Sequence, residues 1–332
     1  MTTTPTHSRQ FWVIEPGKGK IIQKPLLSRS EEEIVIKTRF TGISRGTEKL
    51  VFNGMVPTSQ YETMRGPFQE GDFSTPVKYG YSNVGTCVSA PANYRDAFLQ
   101  KPVFSLFPHQ DYFILPIDAA LVLPPELPPA RAILAPSMET ALNALWDGNP
   151  AKGDRILVIG GGAIGLLVAY LSNKVQGSKV LLIDPDPERR TIAETLNIEF
   201  STQPTKDFAP DLIFHASGHP SGLKTALSIA PMDTTIVELS WYGDQDITLP
   251  LGEHFHANRL TLKSSQVSTI PPSHSSQWNH QSRLALALDL LQHDELDILI
   301  SGETSFEEMP ELFSSDPHTP AIALCHRITY SD

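Results

Sequence analysis

A glycine-rich turn between an apolar strand and an apolar helix constrains this chain more than any other feature. Gly160, Gly162 and Gly165 form a Gly-x-Gly-x-x-Gly pattern directly after the apolar residues 156–159. A second apolar segment, residues 166–171, follows at once. Strand, glycine turn and helix, in that order, are the context in which this pattern binds the pyrophosphate of a dinucleotide. The sequence therefore predicts a βαβ unit that carries a dinucleotide on its glycine turn.

Each residue of the turn has its own physical role. Gly160 permits the tight turn, Gly162 lets the backbone approach a pyrophosphate, and Gly165 lets the helix pack close to the strand. The backbone N–H groups that begin the helix, at Ala163 and Ile164, then face the anion. We expect these residues to form the phosphate-binding part of a cofactor site.

A carboxylate after the next predicted strand bears on the choice of cofactor. Asp184 follows the apolar residues 180–183 and lies 19 residues after Gly165. A carboxylate at this point accepts hydrogen bonds from the ribose hydroxyls of adenosine and repels a 2′-phosphate. We therefore expect NAD (NADH) rather than NADP. Arg189 is expected beside an adenosine phosphate or ribose, and the alternative is that it begins a solvated helix.

Composition and charge exclude several kinds of partner. The net charge of −11 leaves no basic stripe that would neutralise a nucleic acid or an anionic membrane. Cys87 and Cys325 are the only cysteines, so neither a disulfide framework nor a cysteine-rich zinc site fits. The polar residues 1–10 lack the apolar core of a signal peptide, and no apolar run is long enough for a transmembrane helix. We expect a reduced, cytoplasmic protein.

The distribution of apolar runs predicts two kinds of architecture, and 332 residues are enough for two domains. The first part, up to about residue 125, is β-rich, with β-branched or aromatic runs at residues 11–14, 33–40, 81–88 and 113–115. From residue 154 onward strands alternate with helical segments, which is typical of a doubly wound parallel sheet. The predicted strands of that sheet are residues 156–159, 180–183, 212–215, 235–239 and 260–264.

Three further segments complete the predicted organisation. Apolar residues at a 3.6-residue period predict a helix over residues 130–146, and another helix is expected over residues 281–291. The tail, from Leu299 through Ala321 to Ile328, returns to short strands, whose expected partner is the β-rich first part. The predicted fold class is therefore α/β.

This organisation and several motifs resemble the medium-chain dehydrogenase/reductase superfamily. Residues 42–48 look like that family's GICxxD/E turn, and residues 80–85 sit where its GHE-x-x-G segment falls. Residues 136–142 are similar to the helix that supports the nicotinamide, and residues 214–218 resemble the segment under the adenosine. Residues 262–266 resemble the late strand whose backbone meets the carboxamide.

The resemblance implies domain limits and further cofactor residues. It implies a β-rich GroES-like catalytic domain, residues 1–139 and 267–332, and a Rossmann domain, residues 140–266. It also implies a homodimer formed through an edge strand of the Rossmann sheet. The further residues expected at the cofactor are Arg45, Thr140, Ser217, Leu239 and Ser265.

The chain departs from the zinc-using members of that family at their metal ligands. Ser44 replaces the catalytic cysteine, Tyr81 replaces the zinc-binding histidine, and the third ligand falls near Pro136. Hydroxyls and a proline do not make the nitrogen and sulfur set that zinc takes. Residues 87–112, where four structural cysteines would lie, hold only Cys87. We therefore predict a zinc-independent member with no metal site.

Hydride transfer without a metal still requires a proton donor or acceptor near the substrate oxygen. Tyr81 is one candidate, provided that the pKa of its phenol is lowered; the alternative is a core tyrosine bonded to the backbone. His109 is a second candidate, with Asp111 to orient its imidazole, and the alternative is a surface-loop histidine. Glu139 is a third, either as a buried carboxylate of raised pKa or as an ordinary half-exposed helix residue.

Glu48 lies on the same predicted turn as Arg45. We expect it to pair with Arg45 or with Lys49 rather than to act in catalysis. A guanidinium at Arg45 suits a pyrophosphate, because it donates several hydrogen bonds in one plane.

The first functional hypothesis is an NAD(H)-dependent oxidoreductase. It would transfer hydride, without a metal, between nicotinamide and a small alcohol or carbonyl substrate in the cleft between the two domains. A second hypothesis is a nucleotide-binding or sensing protein that has lost its chemistry, because the zinc ligands are gone and no replacement base is obvious. A third is a quinone or enone reductase, although Asp184 argues against the NADPH that such enzymes prefer.

Overall fold

The N-terminal part consists of short strands rich in β-branched and aromatic residues. The computed structural model describes residues 5–205, 207–314 and 324–331. The first strands are β1 (His7–Glu15), β2 (Lys18–Pro25), β3 (Glu33–Ser44), β4 (Glu70–Gly71), β5 (Val77–Lys78), β6 (Asn83–Ser89), β7 (Pro102–Ser105), β8 (Tyr112–Pro116) and β9 (Leu121–Val122), with the short helices α1 (Thr47–Phe52) and α2 (Arg95–Phe98) between them. The predicted runs therefore correspond to β1, β3, β6 and β8, although β6 begins at Asn83, two residues after the predicted start. The sequence does not predict β2, because its charged residues hide the apolar pattern and only part of it is shielded from solvent.

A parallel sheet follows, as the alternation of strands and helices predicts. Its elements are α3 (Ala135–Gly148), β10 (Arg155–Ile159), α4 (Ala163–Ser172), β11 (Lys179–Ile183), α5 (Arg189–Thr195), β12 (Glu199–Ser201), β13 (Leu212–His215), α6 (Pro220–Ile229), β14 (Thr235–Glu238) and β15 (Thr261–Ser264), and α7 (His280–Leu290) comes after the last strand. The strand order is β12-β11-β10-β13-β14-β15, and every neighbouring pair is parallel. The predicted doubly wound sheet is confirmed.

Burial on both faces explains the continuous apolar runs of this sheet. Leu157, Leu181 and Ile213, in three neighbouring strands, are each at most 1% exposed. They share one core cluster with Leu223 and Leu227 of α6. Helices cover both faces of a parallel sheet, so its strands carry apolar side chains at successive positions rather than at alternate ones. This core fixes the order in which the carboxyl ends of the strands lie side by side.

The end of the described chain returns to the N-terminal strands. Its elements are β16 (Ile300–Ser305), α8 (Met309–Ser314) and β17 (Cys325–Thr329). β17 pairs antiparallel with β3 and parallel with β16, in a seven-stranded sheet of order β16-β17-β3-β6-β7-β9 with β8 added beside β3. A separate four-stranded sheet has the order β2-β1-β5-β4. The predicted return of the tail is therefore observed, while Ala321 lies outside the described residues.

The chain divides into two units by the density of its contacts. One unit consists of residues 1–136, 288–293 and 300–332, and the other of residues 137–287 and 294–299. The predicted domain limits, after residues 139 and 266, differ mainly at the second boundary. Residues 267–287 belong to the unit of the parallel sheet, where the buried Arg283 binds Glu139 and the carbonyl of Val267. Among the described residues, no helix is both long enough and apolar enough to cross a membrane.

The glycine turn joins β10 to α4 through two close backbone contacts. Gly160 has a φ of +110°, and a Cβ there would lie 2.6 Å from the Cα of Ser217. A Cβ at Gly165 would overlap the carbonyl oxygen of Gly160. A side chain at either position would therefore force the helix, or the loop after β13, away from the strand.

Gly165→Ala is expected to destabilise the fold, because the new methyl group overlaps the Gly160 carbonyl; an overpacked site costs about 1–3 kcal/mol or more. Gly162→Ala is the matched control, since a Cβ there meets nothing within 4 Å and the residue has a φ of −76°. Urea unfolding of both variants measures the free energy of unfolding. Equal stability of the two variants would contradict the close packing of α4 on β10.

Candidate functional site

The glycine turn lies at the carboxyl end of the parallel sheet, above β10. Helix α4 begins at Ala163, with Gly162 before it and no side chain capping its first N–H groups. The space over Gly162 is open, since a Cβ there would touch no atom within 4 Å. The first N–H groups of a helix have no partner within the helix, and here they belong to Ala163, Ile164 and Gly165. Such a helix start suits an anion of the size of a pyrophosphate.

Asp184 follows β11 and lies against the glycine turn. Its Oδ2 accepts a hydrogen bond of 2.6 Å from the N–H of Gly161, and its Oδ1 accepts one of 2.9 Å from the N–H of Asp186. The Nε of Arg189 lies 3.2 Å from a carboxylate oxygen of Asp186. A Cβ at Gly161 would lie 3.2 Å from the Cγ of Arg189. The structure thus brings Asp184 and Arg189, both predicted cofactor residues, beside the turn.

A pair between a buried histidine and a half-buried glutamate, which the sequence does not reveal, links the ends of β13 and β14. The Nδ1 of His215 lies 2.8 Å from the Oε2 of Glu238, and its Nε2 lies 2.7 Å from the Oγ of Ser217. A carboxylate, a histidine and a serine hydroxyl bonded in this order also occur where the serine is a nucleophile and the histidine is its base. However, the N–H of His219 donates to the same hydroxyl at 3.1 Å, and a Cβ at Gly222 would lie 2.5 Å from it. Ser217 is exposed, and its hydroxyl is hydrogen-bonded within the loop after β13, which it holds in place.

The predicted residues Leu239 and Ser265 extend the sheet beyond its last strands. The N–H of Leu239 donates to the carbonyl of His215 at 2.9 Å, and the N–H of Ser265 donates to the carbonyl of Glu238 at 2.9 Å. Because the strands are parallel, both residues lie at the same edge of the sheet as the glycine turn. Thr140 lies on α3, where it is half-buried.

In the other unit, His109 is buried in a polar cluster near the end of β3. Its Nε2 lies 2.7 Å from the Oε2 of Glu48, and its Nδ1 lies 2.7 Å from the Oγ1 of Thr41. The side chains of His109 and Glu48 are 0% and 4% exposed. Gly80 makes room for the imidazole, since a Cβ there would lie 2.7 Å from the Cδ2 of His109. His109 is therefore a core residue and not the surface-loop histidine of the alternative.

One predicted partner of this cluster is wrong. Asp111 does not orient His109, because its carboxylate pairs with the Nε of Arg9 at 2.9 Å. The Glu48 carboxylate, expected to pair with a neighbouring cation, faces His109 and also accepts the N–H of Ser44 at 2.8 Å. That second bond places a negative charge at the start of α1, where the helix dipole favours it. Arg45 is exposed in the turn between β3 and α1.

Tyr81 is half-buried beside the same cluster. Burial, aided by the Glu48 carboxylate, raises the pKa of its phenol to about 12, although hydrogen bonds with Ser44 and Thr47 act in the opposite direction. The expected lowering of this pKa is therefore wrong. At neutral pH the phenol keeps its proton, so it is a donor rather than a base. Cys325, opposite Ser44 in the sheet, is buried as well, and burial raises the pKa of its thiol to about 12.

Glu139 on α3 is buried and paired. Its Oε1 accepts a hydrogen bond of 3.0 Å from the Nε of Arg283, and the two side chains are 8% and 1% exposed. Burial raises the pKa of Glu139, while Arg283 acts to lower it. Of the two alternatives for Glu139, the structure therefore confirms the buried carboxylate with a raised pKa and not the half-exposed helix residue. A catalytic role for Glu139 stays a prediction.

The residues at the positions of the family's zinc ligands do not fit zinc. Ser44 and Tyr81 offer hydroxyl oxygens and Pro136 offers no side-chain ligand, whereas structural and catalytic zinc sites are built from cysteine, histidine and carboxylate ligands. Within residues 5–205, 207–314 and 324–331, no group of three or more His, Cys, Asp and Glu side chains is placed to hold a metal ion.

Comparisons with known proteins place this geometry in context. No protein-family model matches the chain. The starvation-sensing protein RspB of Escherichia coli is 21% identical over 297 residues, which cover 78% of this chain and 84% of RspB. D-guloside 3-dehydrogenase of Escherichia coli is 24% identical over 197 residues, which cover 55% of this chain and 56% of that enzyme. The match therefore spans little more than half the length of this second relative.

Solved structures match over nearly the whole chain. The structure of Escherichia coli RspB, an alcohol dehydrogenase in complex with NADH, covers 98% of this chain and 100% of its own, with a TM-score of 0.76 and 18% identity. A protein of Sinorhizobium meliloti described as a zinc-binding dehydrogenase and bound to NADP has the same coverage, a TM-score of 0.76 and 16% identity. The fold is that of the medium-chain dehydrogenases/reductases.

The comparisons confirm the predicted resemblance to the medium-chain dehydrogenases/reductases. The relatives and structural neighbours are alcohol dehydrogenase-like proteins of the medium-chain type, and several carry the names of dehydrogenases. The predicted combination of a Rossmann and a GroES-like domain is confirmed with the fold. NADH in one medium-chain structure and NADP in another support a nicotinamide cofactor without choosing between them.

Glu48→Ala is expected to lower the free energy of unfolding by about 1–3 kcal/mol, because it leaves a buried imidazole nitrogen without its hydrogen-bond partner. Glu307→Ala is the matched control: it removes an exposed carboxylate that pairs with Arg9 at 2.7 Å, and such surface pairs contribute about 1 kcal/mol or less. Urea unfolding monitored by circular dichroism measures both. Similar losses for the two variants would contradict a buried Glu48–His109 pair.

Proposed function

We propose that the chain is an NAD(H)-dependent dehydrogenase that transfers hydride, without a metal ion, between nicotinamide and an alcohol or carbonyl substrate. One observation carries the proposal: an open glycine turn at the start of α4 has a carboxylate, Asp184, hydrogen-bonded to its Gly161 at 2.6 Å. The N–H groups that begin α4 have no partner within the helix, and beside one fixed negative charge they suit a pyrophosphate joined to an unphosphorylated ribose.

Different residues of the chain would bind different parts of the dinucleotide. The turn from Gly160 to Gly165 would bind the pyrophosphate, and Asp184 would accept the adenosine ribose hydroxyls. Arg189 would add a cationic contact to the phosphates, while Ser217, Leu239, Ser265 and Thr140 would line the remaining length of the cofactor. The nicotinamide, when bound, supplies or accepts the hydride.

Tyr81 would supply the proton in carbonyl reduction. Its pKa of about 12 keeps the phenol protonated, so it can donate to a carbonyl oxygen as negative charge develops there. His109 is 0% exposed and therefore would act through Glu48, which it holds in place, and not on the substrate. The hydroxyls of Ser44 and Thr47 bind the same phenol and would orient it.

Metal independence is part of this proposal. Ser44 and Tyr81 supply hydroxyls where the zinc-using relatives have ligands, and the phenol of Tyr81 would take the place of a Lewis acid as the group that polarises the carbonyl. Dialysis against a strong chelator, followed by assay with added zinc or without it, is expected to leave the rate unchanged within about twofold. Loss of activity with chelator and its return with zinc would refute metal independence.

Asp184 is expected to select NADH over NADPH by at least about tenfold, since a 2′-phosphate would meet its carboxylate and a tenfold ratio corresponds to ~1.4 kcal/mol. Asp184→Asn keeps an oxygen for the Gly161 N–H but loses the charge, so it should bind NADPH more tightly and NADH more weakly. Fluorescence titration with each reduced cofactor measures both affinities. Equal weakening for the two cofactors would contradict the assignment of Asp184.

Tyr81→Phe is expected to lower kcat for carbonyl reduction by about 10²–10⁴-fold, the usual contribution of a positioned acid. Because the raised pKa keeps the phenol protonated below about pH 12, the ratio of the wild-type rate to the variant rate should stay constant from about pH 7 to 10. Steady-state assays over that range measure the ratio. A ratio that falls within it would indicate a lowered pKa instead.

The substrate panel for these assays follows from the relatives. Their names include a guloside, an inosose and a xylulose, so sugars and cyclitols with secondary hydroxyls, and the matching ketones, come first. Binding of NADH with no turnover on these compounds, on simple alcohols and aldehydes, or on enones would support the alternative of a nucleotide-binding protein without chemistry.

A homodimer through the open edge of the parallel sheet is also proposed. β15 is the last strand in the sheet order, and Thr261, Lys263 and Ser264 along it are exposed. An exposed edge strand offers N–H and C=O groups to a second copy. Light scattering coupled to size exclusion is expected to give twice the mass of one 36.6 kDa chain.

A further inference from the structure

Arg283, a residue of α7 that the sequence does not single out, is bonded at three points inside the unit of the parallel sheet. Its Nε donates to Glu139 at 3.0 Å, its Nη1 donates to the Oδ1 of Asn143 at 2.5 Å, and its Nη2 donates to the carbonyl of Val267. The side chain is 1% exposed. Arg283 thus joins helix α3 to the chain that leaves β15.

Helix α3 presents a polar row to the same segment. Glu139, Asn143 and Asp147 are four residues apart and therefore lie along one face of the helix. The Nδ2 of Asn143 lies 3.4 Å from both the Oγ of Ser265 and the carbonyl of Gln266. The hydroxyl of Ser265 donates to Asp147 at 2.8 Å. Every residue from 265 to 267 thus has a bond to α3 or to Arg283.

The position of this segment in the sheet indicates what it would face. Ligands of an open parallel sheet bind outside the carboxyl ends of its strands, where the strand order reverses. Here the glycine turn follows β10, Asp184 follows β11 on one side, and β13, β14 and β15 lie on the other side. If Asp184 takes the adenosine ribose, the nicotinamide half must extend over β13 to β15. Residues 265–267 come directly after β15.

We propose that Arg283 is a positioning residue for the nicotinamide half of the cofactor, because it fixes the backbone of residues 265–267 as a rigid edge. This inference rests on the proposed function. Arg283 touches no cofactor atom itself; it acts through the carbonyl of Val267 and through Asn143, which holds Gln266.

The chemistry of the contact favours positioning over simple stabilisation. A buried ion pair is often no more stable than apolar side chains of the same volume, because both charges lose their water. A guanidinium, however, donates in several directions in one plane, so it can hold a carboxylate, an amide and a backbone carbonyl at fixed relative positions. Apolar side chains in place of Glu139 and Arg283 would fill the same space but would not hold the carbonyl of Val267.

The test compares two ligands that share the adenosine half. ADP-ribose lacks the nicotinamide ring, whereas NADH has it. Arg283→Met is expected to weaken NADH binding at least about tenfold while the Kd of ADP-ribose changes less than about twofold. Calorimetric titration of the full-length chain with each ligand measures both. Arg259→Met is the matched control: it makes the same change at a 77% exposed side chain that pairs with Asp233 at 2.8 Å, and it should alter neither Kd.

Asn143→Ala provides a second route if Arg283→Met folds poorly. It leaves the pair between Arg283 and Glu139 intact and removes the contacts to Ser265 and Gln266, together with the hydrogen bonds of Asn143 to Arg283 and Asp147. NADH binding should therefore weaken by about two- to fivefold, and ADP-ribose binding should not. Unfolding temperatures of all variants separate loss of fold from loss of affinity.

The outcomes distinguish a failure of the Arg283 proposal from a failure of the proposed cofactor site. Selective loss of NADH binding supports positioning by Arg283. Equal loss of both ligands, or no loss of either in folded variants, overturns it while the glycine-turn site stands. Failure of ADP-ribose to bind the wild-type chain overturns the proposed cofactor site, and the inference with it.

Discussion

The approach of helix α4 to strand β10 is the constraint on which the parallel-sheet unit depends. Gly165 can lie against the carbonyl of Gly160 only because it has no Cβ, and Gly160 can lie against Ser217 for the same reason. This packing sets where α4 starts, and hence where its N–H groups point. It also brings Gly161 within 2.6 Å of Asp184, so the charge that would select the cofactor is tied directly to the turn that would bind it.

Local patterns in the sequence predicted the parts of the fold that are determined locally. The apolar runs at residues 156–159 and 180–183 lie in β10 and β11, and the glycine spacing predicted the turn between β10 and α4. These predictions succeed because a buried parallel strand and a glycine turn depend on residues that are adjacent in the chain. The polar strand β2 was not predicted, because its pairing with β1 and not its own composition defines it.

The buried polar pairs could not be predicted in the same way. His109 and Glu48 are 61 residues apart, and Arg283 and Glu139 are 144 apart, so no local spacing relates them. Asp111 looked like a partner of His109 because it is near in sequence, yet it binds Arg9. The pKa of Tyr81 also depends on burial and on Glu48, neither of which is visible before the chain is folded. Tertiary structure decides which charges are paired, and thereby which groups can donate a proton.

The burial of both thiols has a practical consequence. Cys87 and Cys325 are the only cysteines, and burial raises their pKa to about 11 and about 12. The thiolate is the nucleophilic form, so neither side chain should react readily with maleimides near neutral pH while the chain is folded. A cysteine introduced at an exposed site would therefore take a fluorophore alone. The wild-type sequence is already a suitable background for fluorescence distance measurements with engineered labelling sites.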